Sequence, residues 1–209
     1  MLVAVIDDGI DVGSFAIGEL KYDMTVTKWG MVRKRKTSER VETYHGTTVA
    51  GIIKKYAPTV ELCSVRIFSG GILKTTCKHL ISALKWCKRM KIPLVNLSLG
   101  TTDPEDFDEV RTIIEQMIGQ GQIIVAATNN NGKYTVPASL PGVYGVVADP
   151  KLCDDQIGAC INPDSEKLIP ASSRHQLILP DGNTIITGIT NSFAAPTVAA
   201  YLIVKETNY

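Results

Sequence analysis

No run of about 18 or more apolar residues occurs in the chain, and this excludes an ordinary transmembrane helix. Cysteine is scarce and odd in number: five residues, with no CxxC pair, which argues against a disulfide framework and for reduced thiols. Only three histidines are present, with no His-x-x-x-His spacing and no cysteine–histidine cluster, so metal-assisted hydrolysis has no ligand set to rest on. Gly70-Gly71 follows an apolar run, but G-x-G-x-x-G and a Walker-type lysine are both missing, which removes the usual phosphate-binding loops. The N-terminus, MLVAVIDDGID, lacks a basic region followed by an apolar stretch and a small-residue cleavage site, so a cytoplasmic protein is expected. The net charge of +1 gives the whole molecule no bias toward nucleic acid or a membrane. No cofactor and no metal are expected.

What is present suits one domain over residues 1–209, with a hydrophobic share of 44% and a charged share of 21%. Short β-branched apolar runs predict strands at Val3–Asp7, Glu61–Phe68, Leu94–Leu99, Ile123–Thr128 and Val143–Ala148. Several are apolar on consecutive residues, as in strands covered on both faces. Helices are predicted at Gly46–Tyr56, Leu73–Met90, Pro104–Gly119 and Ser192–Lys205. The third has Asp103 to cap it, Pro104 in its first turn, and Glu105 and Asp106 at its positive end. This rhythm predicts an α/β fold, a mostly parallel sheet with helices on both faces, whose site gathers beyond the carboxyl ends of the strands. Two segments fit poorly and read as surface excursions: the basic stretch after Asp11, and Lys151–Arg174. In the first, six cations between Lys28 and Arg40 face the single acid Glu39; it reads as a solvated loop or hairpin, or as a docking patch for an acidic peptide.

Four segments carry chemistry. Asp7 and Asp8 close the first strand, where a carboxylate can orient a histidine; Asp8 reads as a turn former. His45 precedes Gly46-Thr47-Thr48-Val49-Ala50-Gly51, small residues that leave its ring uncrowded, whereas His79 sits within a helical stretch. Asn129-Asn130-Asn131 end a strand, and one of them can donate to a developing oxyanion or serve in a turn. Ser192, before Phe193-Ala194-Ala195-Pro196, reads as an exposed nucleophile or as a helix cap.

Together these segments resemble the signature blocks of the subtilisin-like serine proteases, in that family's order. The aspartate block is Val3–Gly9, and the histidine block is His45–Gly51. Asn96-Leu97-Ser98-Leu99-Gly100 resembles the substrate-pairing strand, Ala127–Gly132 the oxyanion block, and Ser192–Ala199 the serine block. The resemblance implies a three-layer subtilisin-like fold and a catalytic triad of Asp7, His45 and Ser192. Asn130 would be the oxyanion donor, with Ser98, Leu99, Gly100, Ala127, Thr128 and Asn129 against an extended peptide or protein substrate. Calcium is not expected, because Lys54–Glu61 is too short for the family's calcium loop. The trimmed length points to an intracellular processing role, the removal of a leader from a co-produced peptide. Departures at Asn129, Thr190 and Asn191 leave open a peptide-binding scaffold, or a subunit that needs a partner protein. They also lead to an expected left-handed Asn129. A rival hydrolase reading takes Ser98 as nucleophile with Asp154 or Asp164 and His175.

Overall fold

In the computed structural model the first strand, β1 (Leu2–Asp7), lies in the middle of an eight-stranded sheet. The structure describes residues 1–41, 43–68, 75–158 and 168–207. On one side β1 pairs in parallel with β4 (Glu61–Arg66), which is followed outward by β2 (Leu20–Val26) and β3 (Val32–Lys34). On the other side come β5 (Leu94–Leu97), β6 (Ile123–Ala127), β7 (Tyr144–Ala148) and β8 (Ile169–Ala171), all parallel. In this sheet, among the described residues, only β3 runs antiparallel to its neighbour. The chain therefore builds one half of the sheet, returns beside β1 and builds the other half. The crevice at the carboxyl end of β1 is the point where the strand order reverses, which is where such sheets bind ligands.

Both faces of the sheet are covered. Helices α1 (His45–Tyr56) and α4 (Asn191–Thr207) lie over one face, against Val3, Val5, Leu94, Val125 and Ala127. Helices α2 (Cys77–Arg89) and α3 (Phe107–Ile118) lie over the other, against Ala4, Ile6, Val95, Leu97 and Ile124. Successive residues of one strand thus serve opposite layers, and this is why these strands read as continuous apolar runs. The alternation also aims Asp7, two residues beyond Val5, at the layer of α1 and α4.

The elements follow their local chemistry. Asp103 accepts from the Glu105 amide at 3.1 Å and Pro104 opens the 3-10 turn that feeds α3, as its sequence predicts. The helix expected over Leu73–Met90 begins at Cys77; Leu73 and Lys74 lie outside the described residues. The basic stretch is a hairpin, and its first strand, β2, extends the main sheet. Lys151–Arg174 is corrected more sharply. Residues 159–167 lie outside the described ones, but Ile169–Ala171 is a strand of the sheet and not a surface excursion, with Ile169 and Ala171 buried. Three residues are too few to display a period, and Pro170 hides the strand from a reading of the sequence; it is tolerated on the outermost strand. A separate hairpin, β9 (Gln176–Ile178) with β10 (Thr184–Ile186), packs beside α1.

Candidate active site

Asp7 is buried at the end of β1, and His45 opens α1 directly above it. What lets the two meet is Gly46. A Cβ there would lie 2.6 Å from the Gly9 carbonyl oxygen and 2.8 Å from the Asp7 Cβ, so the start of α1 can rest on the end of β1 only without a side chain. Asp8, read from sequence as a turn former, secures this contact. Its carboxylate accepts from the Gly46 amide at 2.7 Å and from the Thr43 hydroxyl, satisfying donors at the helix start. Tyr44, just before the helix, is held in the left-handed region at φ 57°.

The Asp7 carboxylate oxygens both lie 2.9 Å from His45 Nδ1. A carboxylate only accepts, so Nδ1 carries the proton and the neutral ring presents Nε2 as a base. Burial pushes the Asp7 carboxyl above its ordinary range, more than its bond to His45 lowers it. For His45, burial pulls the pKa down, but the bond to Asp7 and the charges of Asp7 and Asp8 outweigh it and leave the imidazole raised. The Phe193 ring stacks on the imidazole, centroids 5.1 Å apart at 26°, and holds it from the side of α4.

Ser192 stands in the first turn of α4. Its hydroxyl donates to the Ser98 carbonyl at 3.1 Å, and the Ser98 hydroxyl donates back to the Ser192 carbonyl at 3.2 Å. Pro196 explains the second bond: it has no N–H to offer the carbonyl four residues earlier, and Ser98 fills that vacancy. Ser98 is thereby engaged with the backbone of α4. The ring nitrogens of His175 bond to the Tyr56 hydroxyl, the Phe193 carbonyl and Thr197, not to Ser98, so the rival serine–histidine pairing is not assembled; Asp164 lies outside the described residues.

Asn191, one of the departures noted in the sequence, proves to be a crosslink. Its side chain accepts from the Ala148 amide at 2.8 Å and donates to Thr128 and to the Asn129 carbonyl, bolting the ends of β6 and β7 to the start of α4. Its own amide donates to Asn130 Oδ1 at 3.0 Å, which fixes the carboxamide of Asn130 with its NH2 turned away. Asn129 is not left-handed as expected. Its side chain accepts from the Asn131 amide at 2.7 Å, an Asx turn that needs no positive φ.

Ser98, Leu99 and Gly100 leave the end of β5, and Ala127, Thr128 and Asn129 the end of β6. A side chain at Gly100 would lie 2.6 Å from the Val136 carbonyl oxygen, so this segment lies flat against its neighbour. All of the sequence-predicted site residues thus converge on the carboxyl end of the sheet. The structure adds Asp8, Phe193 and Asn191, whose parts depend on contacts that no spacing in the sequence encodes. Among the described residues no group of three or more His, Cys, Asp or Glu side chains is placed to hold a metal ion, and no helix is long and apolar enough to cross a membrane.

Known proteins give this geometry its context. The chain is 28% identical over 172 residues to Subtilisin-like protease 2 of Plasmodium falciparum, a match covering 70% of this chain and 12% of that protein. It therefore spans a small part of that relative's length. Among solved structures, that of the Prenylagaramide maturation protease PagA matches with a TM-score of 0.70 and 25% identity over 99% of this chain and 77% of that one. The Epidermin Leader Peptide Processing Serine Protease (EpiP) of Staphylococcus aureus shares the fold, with a TM-score of 0.70 and 18% identity over 97% of this chain and 64% of that one. The family model described as Subtilase family matches residues 1–205, and with an aspartate, a histidine and a serine gathered at the strand-order reversal of a three-layer α/β fold, the chain belongs to the subtilisin-like serine protease family.

Proposed function

We propose that the chain is a serine endopeptidase that works through Asp7, His45 and Ser192. The observation that carries this reading is the His45 ring itself: bonded at Nδ1 to a buried carboxylate, stacked on the helix that bears Ser192, and left with Nε2 as a base. In the reaction Ser192 Oγ leaves the Ser98 carbonyl, turns to His45 Nε2 and attacks the peptide carbonyl as its proton passes to the ring. The imidazolium, steadied by Asp7, then protonates the leaving amine, and water releases the acyl group. Asn130 Nδ2 and the Ser192 amide receive the oxyanion. Extended substrate lies along Ser98–Gly100 and Ala127–Asn129. The physiological substrate is a co-produced peptide that loses its leader, a reading supported by the resemblance to PagA and EpiP.

The test is covalent labelling by a fluorophosphonate. Wild type and Ser98→Ala should label, while Ser192→Ala and His45→Ala should not. Asn130→Leu should label slowly and turn over peptide about 10²–10³ times more slowly than wild type. The Ser192 hydroxyl's bond to Ser98 favours a second reading, a peptide-binding scaffold. Well-folded wild type that takes no label would decide for that scaffold.

A further inference from the structure

The basic segment that the proposed chemistry leaves unused ends beside its centre. The second half of that segment and the loop after β1 enclose a cleft of about 490 Å³. One wall is Ile10, Asp11 and Val12, which continue directly from Asp7, Asp8 and Gly9, and another is Tyr44, the neighbour of His45. The cleft and the candidate catalytic centre therefore share two chain segments. Its walls are tied together: Arg35 donates to the Ile10 carbonyl at 2.8 Å and pairs with Asp23 at 2.8 Å, so hairpin and loop form one unit.

Most charges in this region are already matched. Arg33 and Glu39 close a two-bond pair at 2.9 and 2.7 Å, Arg35 holds Asp23, and the Asp11 carboxylate accepts from the Gly13 amide and the Ser14 hydroxyl. Lys34, Lys36 and Arg40 are different. All three are exposed on the rim, and among the described residues none has an ion-pair partner. Along the chain they stand two and four residues apart, from the end of β3 through the turn that follows it. That spacing suits carboxylates distributed along an extended chain better than one small multivalent anion.

We propose that this cleft is a subsite for an acidic stretch of the peptide substrate, held by Lys34, Lys36 and Arg40 while the bond is cut. The proposal rests on the peptidase reading above, but its first test does not need catalysis. A fluorescent extended peptide carrying several glutamates, and its glutamine twin, are titrated into the Ser192→Ala protein at low and physiological ionic strength. The glutamate peptide should bind roughly tenfold more tightly, with an advantage that shrinks as salt rises. The triple variant Lys34→Gln/Lys36→Gln/Arg40→Gln should erase the advantage, whereas Lys85→Gln/Lys88→Gln/Lys205→Gln, which removes the same charge elsewhere, should keep it. Equal binding of the two peptides, equal loss in both triple variants, or displacement by inorganic phosphate as effective as by the glutamate peptide would overturn the subsite. In a second arm, wild type digests a pool of denatured proteins, and the cut sites should be enriched in Asp and Glu at a fixed distance from the cleaved bond. Cutting without that enrichment also overturns it. Absence of cutting together with absence of fluorophosphonate labelling would instead remove the peptidase reading, while the binding arm still decides whether the cleft takes acidic peptide.

Discussion

At the scale of single residues, His45 meets two opposed demands. Its pKa is raised in the fold, so its charged form stabilises the protein; that contribution is complete below the unfolded value of about 6.5 and is lost as pH rises through the raised one. A general base needs the neutral ring, so hydrolysis should rise through the same window. The half-point of kcat/KM is expected above 6.5, and Asp8→Asn should lower it, because the amide oxygen can still accept from Gly46 while the charge near His45 is gone. A half-point at or below 6.5 that ignores Asp8 would contradict the assignment. Phe193 acts through the same ring. Removing the stack in Phe193→Ala costs about 0.5–1.5 kcal/mol of orientation, roughly a two- to tenfold fall in kcat at saturating substrate. The sequence pointed to Asp7, His45, Asn130 and Ser192 through the resemblance of their flanking blocks to the family's signature, since the local setting of each alone left other readings open. It was silent on Phe193 and misjudged Asn129 because a ring stack and an Asx turn are decided by neighbours distant or subtle in the chain.

Among elements, the junction of β6, β7 and α4 depends on one side chain. Asn191→Ala would strip a partner from the Ala148 amide and from two carbonyl groups, at a cost of about 1–3 kcal/mol. Urea unfolding should show the loss, and fluorophosphonate labelling should slow as the start of α4 loosens. Unchanged stability would mean that water replaces the amide without penalty. The elements that a reader of the sequence finds are those buried on two faces or amphipathic over three turns, such as β1, β6, α2 and α3. Those missed lie at the margins of the sheet or in the separate hairpin of β9 and β10. In β2, Leu20, Tyr22, Met24 and Val26 alternate with Lys21, Asp23 and Thr25, so it shows no continuous apolar run, and β8 is three residues around a proline.

For the molecule as a whole, His175 provides a handle on stability. It is fully buried and joins α1, through the Tyr56 hydroxyl, to α4, through the Phe193 carbonyl. That carbonyl can only accept, so Nε2 carries the proton and Nδ1 accepts from Tyr56. Burial is the largest influence on its pKa and leaves it lowered, whereas the net shift of His45 is upward. The unfolded chain then binds the extra proton, and stability should decline as pH drops below about 6.5 toward the lowered folded value. Below about 6.5, where the contribution of His45 is already complete, the denaturation midpoint should therefore fall with pH, and should fall less steeply in His175→Gln, whatever that variant's stability at neutral pH. A steeper fall in the variant would reverse the assignment.

The reversal of strand order at β1 has a consequence in time. Asp7 and His45 lie 38 residues apart, and Ser192 meets Ser98 across 94. On the ribosome, Asp7 and His45 emerge early, and Ser192 follows only after both halves of the sheet have been made. A partly synthesised chain, however well its first half has collapsed, lacks Ser192. The meeting of Asp7, His45 and Ser192 thus waits for the docking of α4, and the sparse local contacts of such a topology make that a late step. Under the proposed peptidase reading, order of synthesis is itself a safeguard against cutting other nascent polypeptides.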